Sequence, residues 1–139
     1  MHIRSIEKKD LNFSYLHLID KLSPLPDFYG VDFNREWSDF INNDGHHVLV
    51  ATSNDIVVGT GSLLVERKIT GRTAGHIEDV VVLRSYRKKG IGAAIINGLI
   101  DIAKQKKCYK VILNCSDKNV SFYNKFGFIK IDNGMKLTI

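Results

Sequence analysis

The sequence predicts an α/β fold in which a single mixed, mostly antiparallel central sheet is flanked by helices. Three observations carry the prediction. Short apolar runs bounded by turn residues recur along the 139 positions and read as strands. Four other stretches repeat their apolar residues at helical spacing. No internal repeat or low-complexity linker divides the chain, so residues 1–139 read as one domain, long enough for its own core.

Residues 2–6 read as a short strand. Lys8–Lys21 follows as a helix, with Leu11, Tyr15, Leu18 and Ile19 along one face. Ser23-Pro24-Leu25-Pro26 is a loop, because two prolines at this spacing permit neither helix nor ladder. Phe33, Trp37, Phe40 and Ile41 mark a second short helix, closed by Gly45. His47–Thr52, a Ser53-Asn54-Asp55 turn and Ile56–Glu66 read as a hairpin. Gly71–Gly75 is a second turn before a central strand, His76–Leu83. The third helix takes its buried stripe from Ile91, Ile95, Leu99 and Ile102. Lys110–Cys115 reads as a strand and Val120–Lys125 as a short helix. Phe128–Ile131 and Met135–Ile139 read as terminal strands around an Asn133-Gly134 hairpin turn.

Hydrophobic residues make up 44% of the chain and charged residues 25%, ordinary values for a globular protein. No apolar run reaches the length of a membrane span. The N-terminus, Met1-His2-Ile3-Arg4, carries no signal-peptide apolar region, so a cytoplasmic chain is expected, with the nucleus open. Cys108 and Cys115 have neither CxxC spacing nor a second pair, which points to reduced, partly buried thiols and to no metal site. The net charge of +5 raises a nucleic-acid reading. Only Arg84–Lys89 forms a compact basic group, however, with one aromatic, Tyr86, and no zinc-finger or RNP-like pattern. An anionic small molecule accounts for the charge as well, and no nucleic-acid partner is expected.

That basic group carries the chain's chemistry. Arg87-Lys88-Lys89-Gly90-Ile91-Gly92 stands between the apolar run Ile77–Leu83 and the amphipathic stretch Ile91–Gln105. A strand, a glycine-rich basic turn and a helix start together make an anion site. The first helical amides lack intrahelical partners and sit at the positive end of the macrodipole. Gly90 and Gly92 leave room for a diphosphate to reach the backbone. The Walker pattern is absent, and so is the dinucleotide fingerprint Gly-x-Gly-x-x-Gly.

What stands here, Arg-x-x-Gly-x-Gly, resembles the acetyl-CoA pyrophosphate loop of the GNAT superfamily of N-acetyltransferases. Three further strings narrow the resemblance: Gly75-His76-Ile77-Glu78-Asp79-Val80-Val81-Val82, Cys108-Tyr109-Lys110, and Asn119-x-x-x-Tyr123 followed by Phe126-Gly127-Phe128. With Glu66-Arg67-Lys68-Ile69 they are similar to the glucosamine 6-phosphate N-acetyltransferases of that superfamily, strongly over residues 59–135 and more weakly over the first 45. The resemblance implies the GNAT fold and direct acetyl transfer from acetyl-CoA to a sugar amine, on the route to UDP-N-acetylglucosamine. It implies that Val80, Val81 and Val82 pair with the pantetheine arm, that the amides of Lys88, Lys89, Gly90, Ile91, Gly92 and Ala93 take the diphosphate, and that Arg87 adds charge at its mouth. Tyr123 is implied as the acid for the leaving thiolate, Asn114 as the residue whose backbone carbonyl engages the amine, and Asn119 as a helix cap that also contacts the cofactor. Read without the resemblance, Tyr123 is better taken as a semi-buried core tyrosine on a short helix.

Glu78 and Asp79 are implied at the sugar, Glu78 as the better candidate for orienting it or for accepting a proton through water. Adjacent strand positions point to opposite faces, so the two are not expected to act as a pair on one face. Ser23, Lys68, Tyr109 and Lys110 are implied as substrate contacts, the last two supplied across a homodimer with shared active sites. Two departures stand out. Asn114 replaces an aspartate, and Thr138 stands where the family carries a phosphate-gripping arginine. A hydroxyl does not replace a guanidinium fork, which leaves Lys68, Arg72, Lys110 or Lys136 to meet the phosphate. An acetyltransferase for another small amine or a protein lysine remains open, as does a non-catalytic acyl-CoA or nucleic-acid binder.

Overall fold

The computed structural model describes all of residues 1–139. Strands β1 (His2–Ser5), β2 (His46–Ser53), β3 (Ile56–Arg67) and β4 (Thr73–Val82) lie side by side in chain order, each antiparallel to the last. β5 (Val111–Ile112) joins the far edge in parallel with β4, so the sheet is mixed and mostly antiparallel. Asn54 and Asp55 both take positive φ, the geometry a two-residue hairpin turn requires, and they join β2 to β3.

Helices cover both faces. Alternate residues of the strands, among them Leu49, Ala51, Leu63 and Ile77, meet Ile91, Ile95, Ile96, Leu99 and Ala103 of α3 (Ile91–Gln105). This is the main core. A Cβ at Gly61 would sit 2.7 Å from Ile95 Cγ2, so the absence of a side chain there lets α3 lie close on β3. On the opposite face Val50, Val57 and Val81 pack with Tyr15 and Leu18 of α1 (Phe13–Asp20). The buried Tyr15 hydroxyl lies 3.2 Å from Thr60 Oγ1, and Thr60 donates on to the Leu49 carbonyl, so neither hydroxyl is orphaned. α2 (Phe33–Ile41) buries no residue fully and leans on edge-on ring contacts, Phe13 with Phe33 and Phe40 with His46. α4 (Val120–Asn124) is a short helix whose Phe122 and Tyr123 pack against the main core.

Four local expectations need correction. The helix expected over Lys8–Lys21 breaks into a 3₁₀ turn, Lys8–Asp10, and α1. Asp10 accepts from the Glu7 N–H and from both terminal nitrogens of Arg4, and Asn12 accepts from the Tyr15 N–H as a fresh N-cap. The turn expected at Gly71–Gly75 lies earlier, where the Lys68 N–H donates to the Arg72 carbonyl and the Gly71 N–H to the Lys68 carbonyl, and Thr73 is already in β4. The strand expected over Lys110–Cys115 shrinks to Val111–Ile112. Residues 128–139 contain no strand, and Asn133-Gly134 closes no hairpin. Instead Gly134 passes so close over Asn114 that a Cβ there would lie 3.0 Å from its Oδ1.

Candidate active site

The shortness of β5 and an irregularity in β4 have a common result. Thr60 faces Val81 and Ser62 faces Glu78, so Gly61 alone opposes Asp79 and Val80. That is a β-bulge, with Asp79 in the left-handed region at φ 54°. β5 pairs only with Gly75 and His76, before the bulge. Beyond it β4 and the 113–116 segment separate, and a cavity of about 580 Å³ opens between them. Ile77, Glu78, Asp79 and Val80 form one wall; Leu113, Asn114, Cys115 and Ser116 form the other. The volume lies within the range of small-molecule sites.

The bulge overturns one expectation. Strand alternation was to send Glu78 and Asp79 to opposite faces, yet both line this cavity. An extra residue in a strand shifts the phase of everything after it. Two carboxylates therefore share one site. Val80 also lines it, whereas Val81 is buried against α1 and Val82 against α3.

Tyr123 enters from α4, half-buried and held edge-on by Phe122 and Phe128. Burial, with a smaller effect from the Cys115 thiol, raises its pKa above the ordinary phenol value. Its hydroxyl is thus protonated throughout the neutral range. Asn119 lines the same cavity but makes no side-chain cap bond, so its expected capping role is carried by backbone alone. Cys115 is exposed in the cavity wall, not partly buried as expected, while Cys108 is half-buried; both are free thiols. Leu22 and Ser116 also line the cavity and were not singled out from sequence, because neither lies in a motif.

The glycine-rich turn leads into α3 as expected. Lys88 at φ 61° and Gly90 at φ 81° curl the chain, and the first helical bond runs from the Ala94 N–H to the Gly90 carbonyl. None of the amides of residues 88–93 donates to a main-chain carbonyl. They form a row of free donors at the N-terminus of a 15-residue helix. Arg87, Lys88 and Lys89 are exposed and make no ion pair, and Arg87 Nε anchors on the Val82 carbonyl at 3.1 Å. A diphosphate fits these donors in charge and in hydrogen-bonding capacity.

The remaining candidates lie elsewhere. Lys68 Nζ is 3.1 Å from Glu66, whose other partner is His76 Nε2 at 3.0 Å. These contacts hold the Glu66 carboxyl below its usual range, with the His76 hydrogen bond the larger cause. Tyr109 is exposed, with the Arg72 guanidinium 3.6 Å above its ring and the Lys110 ammonium 5.3 Å away. None of Lys68, Tyr109 and Lys110 lines the cavity of its own chain; Ser23 does not either, although its neighbour Leu22 does.

With this geometry in view, comparison with known proteins is informative. Residues 14–128 match the model of the acetyltransferase (GNAT) family. The chain is 38% identical over 143 aligned positions to the glucosamine 6-phosphate N-acetyltransferase of Trypanosoma brucei brucei, covering 100% of this chain and 96% of that protein. Among solved structures, glucosamine-6-phosphate N-acetyltransferase from Arabidopsis thaliana superposes with a TM-score of 0.92 at 32% identity, over 99% of this chain and 97% of that one. An acetyltransferase from Clostridium acetobutylicum solved with acetyl-CoA shares the fold at 21% identity, with a TM-score of 0.73 over 99% and 95% of the two chains.

Proposed function

The chain belongs to the GNAT family of acetyltransferases, and from that premise we propose that it moves the acetyl group of acetyl-CoA to the amine of D-glucosamine 6-phosphate. The products are CoA and N-acetyl-D-glucosamine 6-phosphate, the precursor for UDP-N-acetylglucosamine. One observation carries the reading: a single cavity joins two carboxylates to a protonated phenol, and a row of free amides stands at the start of α3.

In this proposal the CoA diphosphate rests on the amides of residues 88–93, with Arg87, Lys88 and Lys89 supplying charge. The pantetheine arm runs along Val80–Val82, where β5 has left the β4 edge unpaired, and Asn119 touches the cofactor. A sugar ammonium gives its proton to Glu78 through water, and Asp79 and the Asn114 carbonyl orient the amine. The amine nitrogen attacks the thioester carbonyl; as the C–N bond forms and the C–S bond breaks, the Tyr123 hydroxyl gives its proton to the departing sulfur, and the proton shed by the acylated nitrogen passes through water to restore the phenol. A thioester is already an activated acyl donor, so the proposed reaction calls on no metal.

The sugar pocket is completed by a second copy. Lys68, Tyr109 and Lys110, which lie off their own cavity, serve the partner's cavity in the proposed homodimer, and Ser23 borders the sugar from the α1–α2 loop. Support comes from the tail, where Ile129, Ile131, Met135, Leu137 and Ile139 are exposed apolar residues at alternate positions, interrupted at Asn133. An alternating row without a partner strand suits burial against another copy of the chain. No helix of the chain is long and apolar enough to cross a membrane, and we place the enzyme in the cytoplasm as one domain with no nucleic-acid partner.

Thiol release tests the reading. Acetyl-CoA is incubated with glucosamine 6-phosphate, unphosphorylated glucosamine, an aminoglycoside and a lysine peptide. Free thiol is expected to appear fastest with glucosamine 6-phosphate, mole for mole with N-acetylated sugar. Turnover of another amine, with glucosamine 6-phosphate inert, overturns it.

A further inference from the structure

We propose that Lys136 reads the anionic group of the acyl acceptor and so sets the enzyme's preference for a phosphorylated amino sugar. The inference deepens the function proposed above and rests on it. Lys136 is the one cationic residue lining the cavity, and Glu78 and Asp79 are the carboxylates there. It forms none of the ion pairs in the chain. An ammonium unpaired beside two carboxylates gives the cavity separated charges of opposite sign. An acceptor carrying an ammonium at one position and a phosphate at another complements that layout.

The path of the tail explains how Lys136 arrives. Gly134 comes within contact distance of Asn114, a wall residue of the cavity. Two residues on, Lys136 lines that same cavity. Met135 and Leu137, on either side of it, do not line the cavity and are 96% and 85% exposed. Thr138, two residues further on, carries no charge and does not line the cavity. Within the chain no other cation reaches this cavity: Lys68 is paired with Glu66, and Arg72 and Lys110 lie over the Tyr109 ring. Lysine binds phosphate as a point charge, and such charge-assisted bonds are stronger than neutral ones.

The test compares Lys136→Ala, Lys136→Arg and Lys68→Ala with the wild-type protein. Two readouts are taken: kcat/KM for glucosamine 6-phosphate relative to glucosamine, and equilibrium binding of glucosamine 6-phosphate, which needs no turnover. Lys136→Ala is expected to lower the ratio and the affinity by about tenfold, one charge-assisted bond's worth, mainly through KM. Lys136→Arg is expected to restore most of both. An equal loss for the two sugars, or the discrimination lost in Lys68→Ala and kept in Lys136→Ala, overturns the assignment. A wild-type protein that does not acetylate glucosamine 6-phosphate refutes the proposed function instead, and the binding arm still decides the role of Lys136.

Discussion

A phenol serves as a proton donor only while it keeps its proton, and the surroundings of Tyr123 ensure that it does. Burial against Phe122 and Phe128 disfavours the phenolate, so the pKa moves up, away from neutrality. Tyr123→Phe keeps the ring contacts and removes only the hydroxyl. The expected result is unchanged acetyl-CoA binding and a fall in turnover of about 10²–10⁴-fold, the usual worth of general-acid assistance. Single-turnover thiol release measures it, and near wild-type rates in the phenylalanine variant would rule the role out. Residue identity was readable here because Asn119-x-x-x-Tyr123 is a local string. The pairing of Glu78 with Asp79 was not, because it depends on a left-handed residue inside a strand, and strand alternation assumes an unbroken period.

At the scale of elements, the long helix and the central hairpin were legible because their apolar residues repeat over enough positions to define a face. The N-terminal stretch misled because Leu11 continues the helical spacing of α1 although Asn12 starts a new helix by capping it. The tail misled for another reason. Asn-Gly is a strong turn signal, yet a hairpin also needs two strands free to pair, and this segment is drawn across Asn114 instead. The start of α3 was read correctly, and it supports a sharp prediction. Gly90 has φ 81° with nothing within 4 Å of a built Cβ, so a substitution there meets strain without a clash. Left-handed backbone costs a non-glycine residue roughly 1–2 kcal/mol, and a β-branched one at least that. Gly90→Val is therefore expected to unfold cooperatively at a modestly lower temperature. Acetyl-CoA affinity should fall at least about tenfold, because the amides of residues 88–93 lose their common direction. Calorimetric titration with acetyl-CoA checks this, and an unchanged Kd in the folded variant removes the diphosphate from this turn.

For the whole molecule, the question is where one chain's site ends. The cavity brings together Leu22 after α1, β4, the 113–116 wall, α4 and the tail, five segments joined only by the fold. Sequence identified most of these residues singly, through motifs. The resemblance already implied Tyr109 and Lys110 as contacts across a dimer, but nothing in the spacing showed that Lys68 would fall outside the cavity too. If a second copy supplies them, each site draws Glu78 from one chain and Lys110 from the other. Glu78→Ala and Lys110→Ala homodimers are then both expected to be inactive. Co-expression of the two variants yields mixed dimers in which one site carries both lesions and the other carries neither. About a quarter of wild-type activity should return, since half of the dimers are mixed and each holds one intact site. Activity is measured by thiol release, and the oligomeric state by light scattering at assay concentration. A fully active monomer, or mixed dimers as inactive as their parents, would confine the site to a single chain.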